Sequence, residues 1–494
     1  MYNGQSIAID NFSGGMCSNI PETKLALNQA KTVDNIVIRP NGMGIRSRRG
    51  NKAFNATAMT SGANVQGIGY FKTSAGSNYL MSVCGAKVYK SDSLDGTMDD
   101  ITGTVTITAG ADNHWDIITF NDVVYGFGGP KGNPDAAWKW NGTGNATVLT
   151  GNPSVPLQGA LTANNRVFGW AGSTIYWTII GNAEDWSGTG SGSAVIGSLN
   201  DNENITGAII ISTNYMLVFK ENSVHQMVIS SAPFPGYSLF DTIGSAGHYC
   251  SYNIDGIVYF LGTDKRMYST NGETITEYPD LADNVWDTVL TTRLPYVIGF
   301  LQSGSDYSWM VWLTCSSGST NNLAIIFDLK NKCWLQCTKG YNFNIAGFDE
   351  SGNVYLGGYN GKIYTLDYAA RYYDESEGDA TTGAITAYWT SGWITPDKMD
   401  MITQVHKITT AYDYKASGNL TLKYGFDGTS SSASYTMSQT QSGSATYLQD
   451  VTRISGRGNT FQYQLYGSSG TIDWSVHKLI LSGKSYGQKD QSES

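Results

Sequence analysis

The chain has 494 residues, too long for one ordinary hydrophobic core, so it requires either several domains or one large closed repeat. Glycine is abundant at 58, aromatics reach 12% and charged residues fall to 15%, a balance that favours strands and turns over helices. The net charge of -10 argues against attraction to nucleic acid or anionic membrane through the overall field, and no segment approaches the roughly 20 apolar residues that cross a bilayer. The opening Met1-Tyr2-Asn3-Gly4-Gln5 lacks the charged start and apolar core of a signal peptide, so synthesis in the cytoplasm is expected.

In chain order, residues 1–50 read as an N-terminal arm or platform segment. Its best helical stretch is Pro21 to Val33, followed by a strand from Asp34 that a Pro40-Asn41-Gly42 turn ends. Arg39, Arg46, Arg48 and Arg49 crowd this short stretch of an acidic chain. They suit contact with phosphate or an acidic neighbouring surface, or else pairing within the chain or protection of an edge strand. Among the intermolecular roles a protein interface is favoured over DNA.

A repeated unit follows, clearest in Ile254 to Tyr278. There Gly256 to Leu261, Arg266 to Ser269 and Thr274 to Tyr278 read as strands, with Asn271-Gly272 supplying the positive φ of a tight turn. Ile257, Tyr259 and Leu261 alternate with Val258 and Phe260, so both faces of the first strand are apolar, as stacking between two sheets requires. Equivalent units lie at Tyr79 to Tyr89, Asp122 to Gly142, Arg166 to Trp177, Tyr215 to Met227, Tyr307 to Trp334 and Asn353 to Tyr364. Their spacing centres on the roughly 40 to 50 residues of a four-stranded propeller blade. The predicted fold is all-β: a β-propeller of six or seven blades over residues 51–368, a polar linker over 369–383, a C-terminal β-sandwich over 384–483 and a flexible tail over 484–494. Strands are predicted at Ile385 to Trp393, Gln404 to Ala411, Asn419 to Phe426, Phe461 to Tyr466 and Ile472 to Leu481, and Asp280 to Leu290 allows one short helix.

No constellation of residues dictates chemistry. The six cysteines are scattered in apolar contexts and read as buried thiols, and Cys315, Cys333 and Cys337 have no nearby histidine to complete a zinc site. His114, His225, His248, His406 and His477 are far apart and read as packed or surface histidines. Glu184, Asp185 and Asp280 are loop acids of the kind a glycosidase would need in pairs. Ser91 to Thr97 is similar to the Asp-box of sialidases but lacks its aromatic and occurs once. Trp186 and Tyr237 are candidates for stacking on sugars. No catalytic residue, cofactor or metal is predicted.

Several stretches resemble the tail hub or nozzle proteins of short-tailed bacteriophages, also called packaged DNA stabilisation proteins. They are Asn35 to Gly50, VCGAKVYK from Val83 to Lys90, YMLVFKENSVHQM from Tyr215 to Met227, GSAGHYC from Gly244 to Cys250, and RISGRGNTFQYQL from Arg453 to Leu465. The resemblance implies a non-enzymatic virion protein, assembled in the host cytoplasm. Six copies would form a ring below the head-tail adaptor, around a channel for double-stranded DNA, and support spikes, fibres or a plug. An acidic chain rich in Ser, Thr and Asn suits such a passage, because each phosphate neutralised by Lys or Arg would tighten the grip on DNA. With no room for large insertions, a long protruding nozzle is not expected. The alternatives are a carbohydrate- or receptor-binding propeller and a propeller glycosidase.

Overall fold

A computed structural model of the chain describes residues 5–151, 153–197, 203–279, 281–366, 372–378, 382–395, 401–413, 419–428, 433–438, 447–454, 456–469 and 474–487. Seven antiparallel blades succeed one another over residues 65–100, 114–148, 159–195, 205–240, 251–277, 298–337 and 343–365; the first six take four strands each from these ranges and the seventh takes three. Numbered one to seven, their first strands pack side by side in a circle, and Phe343–Phe348 of blade seven returns to Val65–Lys72 of blade one. The chain is a seven-bladed β-propeller.

The ring closes through the N-terminal segment. Blade seven takes only three strands from residues 343–365, and its fourth is Lys52–Ala53, paired as Tyr364 with Ala53 and Thr365 with Lys52. The N–H of Phe54 donates to the Ile363 carbonyl at 2.8 Å and extends the closure.

Packing between blades explains the doubly apolar strands. In Tyr215–Lys220 every residue after Tyr215 is buried, because the strand faces a neighbouring sheet on each side. Phe71, Trp115, Trp138 and Trp140 fill the seam between blades one and two, and Phe168, Trp177, Met216 and Phe234 the seam between three and four. The turn after Met267–Thr270 has Gly272 at φ +89°, while Asn271 Oδ1 accepts from the Thr274 N–H at 3.0 Å. Blade five also contains a first strand, Ser251–Ile254, mostly outside the predicted repeat.

The N-terminal fifty residues are not a separate arm. Gln5–Ile9 pairs with Lys478–Gly487 in a sheet that continues through Met401–Asp413 to Tyr447–Arg453. The fourth strand of blade six, Cys333–Cys337, is extended through Gly15–Met16, Gln29–Asp34, Ile385–Ser391, Phe461–Ser469, Asn419–Phe426 and Ala433–Ser438 into one ten-stranded sheet. A small sheet joins Ile36–Ile38, Ile45–Ser47 and Ser475–Val476. Trp389, Leu420, Leu422 and Leu465 of the long sheet share a buried cluster with Ile408, Leu479 and Leu481 of the other. Both chain ends therefore build one β body on the edge of blade six.

Three local expectations are corrected. Pro21 to Val33 is not a helix: only Glu22–Lys24 forms a 3-10 turn, and Gln29–Asp34 is a strand. Its Ala, Leu, Lys and Gln favour a helix locally, but pairing with Ile385–Ser391 buries Ala30 and Val33 and outweighs that propensity. The acidic linker contains an ordered turn at 375–377 and the buried Asp374, while 367–371 and 379–381 lie outside the described residues. The tail begins later than position 484, because Lys478–Gly487 is a strand. The short helix in 280–290 is Asp283–Trp286.

Candidate functional site

The first strand of blade two, His114–Phe120, places His114 and Asp116 on one side of the chain by strand alternation, while Trp115 enters the seam with blade one. Facing them is the connection into blade five, Gly244 to Cys250. The Ser245 N–H donates to the Lys220 carbonyl at 3.0 Å and the Ala246 N–H to the Leu261 carbonyl at 2.9 Å, which fixes how the loop enters. His248 Nε2 then donates to Asp116 Oδ1 and Oδ2 at 2.8 and 2.9 Å, and the Tyr249 hydroxyl donates to Oδ1 at 2.9 Å. The Ala160 N–H of blade three donates to Oδ2 at 2.9 Å.

Blades two and five stand three places apart in a circle of seven, so this cluster spans the propeller axis. The Tyr249 carbonyl accepts from the Gly299 N–H of blade six at 2.8 Å, and the His248 ring lies 5.1 Å from that of Trp170 in blade three. Two glycines make room for the crossing. A Cβ on Gly247 would overlap the Pro295 carbonyl, and one on Gly207 would come within 2.9 Å of the His248 carbonyl.

Beside the crossing, on the face where the first strands of the blades begin, lies a cavity of about 180 Å³. On its rim Arg293 grips Asp112 with two hydrogen bonds of 2.7 and 2.9 Å and lies 4.3 Å over the Tyr296 ring. His114 Nε2 donates to the Asn344 carbonyl at 3.1 Å, and burial pushes the His114 pKa down to about 4, so the ring is neutral at neutral pH with Nδ1 as an acceptor. Burial, reinforced by the Asp116 charge, pushes the Tyr249 phenol up and keeps it an O–H donor. Asp116 is fully engaged by its donors, so its evident role is to hold the crossing loop.

The four arginines do not form a patch. Arg48 is buried: Nη1 and Nη2 donate to the Asp374 carboxylate at 2.8 and 2.5 Å, Nε to Asn35 Oδ1 at 2.7 Å, Nη1 also to the Arg49 carbonyl and Nη2 to the Lys339 carbonyl. Burial alone would lower its pKa, but the Asp374 charge and hydrogen bonds raise it. Arg46 pairs with Asp306 at 3.2 Å, Arg39 pairs with Asp413, and Arg49 is half-buried. Of the two readings drawn from sequence, pairing within the chain describes Arg39, Arg46 and Arg48.

Other candidate residues separate. Glu184 pairs with Lys139, Asp185 caps the N–H groups of Ser187 and Gly188, and Asp280 lies outside the described residues. In the Asp-box-like turn, Asp95 accepts from the Thr97 N–H and the Ser91 hydroxyl. Trp186 is buried against Phe127 and cannot stack on a sugar, whereas Tyr237 is 56% exposed. All six cysteines are free and buried, and among the described residues no group of His, Cys, Asp or Glu is arranged to hold a metal ion. Among those residues no helix is long and apolar enough to cross a membrane. Sequence reasoning missed Asp116 and took His248 as an isolated histidine; the one signal was the GSAGHYC stretch that contains it.

No protein-family model matches the chain, and no curated protein is similar to it in sequence. Among solved structures, a streptogramin B lyase structure is similar at 14% identity and TM-score 0.42, covering 65% of this chain and 97% of that one. Virginiamycin B lyase from Staphylococcus aureus is similar at 12% identity and TM-score 0.44, covering 64% and 99%. The WD40 propeller domain of Doa1 is similar at 9% and 0.41, covering 64% and 98%. Sheet order and ring closure make the chain a β-propeller independently of these similarities.

Proposed function

We propose that this chain is a structural subunit of a phage virion, six copies of which form a tail hub or nozzle ring below the head-tail adaptor of a short-tailed phage. The observation that carries the reading is the β body that both termini build on blade six. The four strands of blade six and six strands of the body form one sheet joined at Met16 and Trp334, so blade and body cannot hinge at the shared strand pairing without breaking backbone hydrogen bonds. Such a stiff, two-part subunit suits a ring that bears load while supporting spikes, fibres or a plug. The DNA passage in this reading lies between subunits, since the Asp116–His248 crossing obstructs the propeller's own axis. The net charge of -10 favours sliding over gripping.

The test is mass photometry and electron microscopy of the purified full chain, alone and with the adaptor ring. Six copies seated on the adaptor are expected. A chain that remains monomeric in both, or that turns over a glycoside, overturns the reading. A receptor- or carbohydrate-binding propeller is the second reading, favoured by the exposed Tyr237; a glycan array tests it, and the loss of any signal in Tyr237→Ala would tie it to that ring.

A further inference from the structure

We infer that the sheet built from both chain ends joins copies of this chain edge to edge, Tyr447–Arg453 of one copy pairing with Gln5–Ile9 of the next. The inference rests on the ring proposed above and names the surface that closes it. The sheet runs in the order Gln5–Ile9, Lys478–Gly487, Met401–Asp413, Tyr447–Arg453, so the first and last of these are its edges, and among the described residues neither pairs with a second strand. Arg457–Gly458 prolongs the second edge beside Thr403 and Gln404. The unpaired N–H and C=O groups of an edge are a template for another strand, which proteins ordinarily blunt with lysine, proline or a bulge. Gln5–Ile9 carries none of these, and its Ser6, Ile7 and Ala8 are exposed.

Strand direction and facing make the occupant a second copy of the chain. All three pairings in the sheet are antiparallel, so its two edge strands run in opposite directions. A copy set beside the first in the same orientation therefore brings its Gln5–Ile9 antiparallel to Tyr447–Arg453. The rows of side chains match as well. Ile7, Leu481, Ile408 and Thr452 lie at one level on the inner face; the last three are buried, whereas Ile7, at the end of the row, is 38% exposed. Ala8, Ile480, Thr409 and Val451 form the adjacent row on the outer face, and it ends in Val451, 47% exposed. An unshifted joint sets Ile7 beside Thr452 and Ala8 beside Val451, so inner face continues inner face, as the strand period of two demands. Such a joint uses a different strand of each copy, the heterologous contact by which rings close. The ten-stranded sheet cannot serve in this way, because its other end, Ile298–Ser303, packs among the first strands of the blades.

The experiment is amide hydrogen exchange of the full chain, alone and seated on the adaptor ring, with mass photometry to count copies. Exchange within residues 5–9 and 447–453 is expected to slow by about tenfold or more when the ring forms. The double variant Ala8→Lys/Val451→Lys sets like charges across the joint and is expected to lower the share of chain found in rings by about tenfold or more. Ala8→Lys/Val451→Glu, whose charges attract across the same joint, is expected to restore it. Both positions are exposed, so circular dichroism of the parent and the two variants should coincide. Pairing of either strand with its own equivalent would oppose like charges in both variants and rescue neither. A ring in which both strands exchange as in the single chain, a Lys/Lys variant that assembles like the parent, or a Lys/Glu variant no better than Lys/Lys overturns this inference and leaves the ring standing. A parent chain that never assembles overturns the ring reading and this inference together.

Discussion

Arg48→Met is the most informative substitution, because it separates a structural arginine from an interface arginine. Arg48 and Asp374 are 3% and 2% exposed, and the guanidinium makes five hydrogen bonds that tie the end of Ile45–Ser47 to Asp374, just before the turn at 375–377, and to Asn35, the Arg49 carbonyl and the Lys339 carbonyl. Removing it leaves the Asp374 carboxylate buried with Asn51 as its only donor among the described residues, at 3.2 Å from both its N–H and its Nδ2. Breaking a buried pair in this way costs about 3–5 kcal/mol. Urea unfolding of the isolated chain should record that loss, with hydrogen exchange of residues 372–378 locating it. The double variant Arg48→Met/Asp374→Leu should recover at least half, since an apolar pair carries no stranded charge. If Arg48→Met lies within about 1 kcal/mol of the parent, or the double variant is as unstable as the sum of the singles, the pair does not anchor this junction.

Four further outcomes are expected. Burial raises the Asp34 pKa from 3.8 to about 6. The folded state therefore holds this proton more tightly than the unfolded state, and the stability Asp34 contributes is complete below about pH 4 and is lost as pH rises through about 6. Asp34→Asn, with Thr338 still able to donate from its N–H, should flatten the stability profile in that window and raise stability at pH 7; an unchanged slope would assign the pH dependence elsewhere. For Asp413 the sign is opposite: burial pushes its pKa up, but the His477 hydrogen bond and Arg39 hold it well below the usual range, so Asp413→Asn should destabilise at pH 7 and match the parent in strong acid. Phe54→Pro removes the N–H that donates to Ile363 and should cost about 1–3 kcal/mol, with limited proteolysis appearing first in blades seven and one. Asp116→Ala strands the His248 and Tyr249 donors and should speed amide exchange at Gly299 and residues 244–250 by about tenfold or more, a change absent if the crossing loop is held by its backbone alone.

By itself the sequence determined the blades. Each is a local object, an apolar strand turning through glycine or asparagine into the next, so Tyr215–Lys220 and Val224–Val228 can be recognised within a dozen residues. Their doubly apolar faces also required neighbours, and hence a ring. Tertiary structure alone decided where the two chain ends go and what crosses the axis. Gln29–Asp34 is a strand because Ile385–Ser391 lies along it and Gly15–Met16 pairs with its start, and Asn35 donates to the Thr386 carbonyl across 351 positions. Asp116 meets His248 across 132 positions, a distance over which no periodicity carries information. Short-range patterning records the free energy of burying one face of one element; which distant element covers it depends on closing the whole ring, and only the folded chain fixes that.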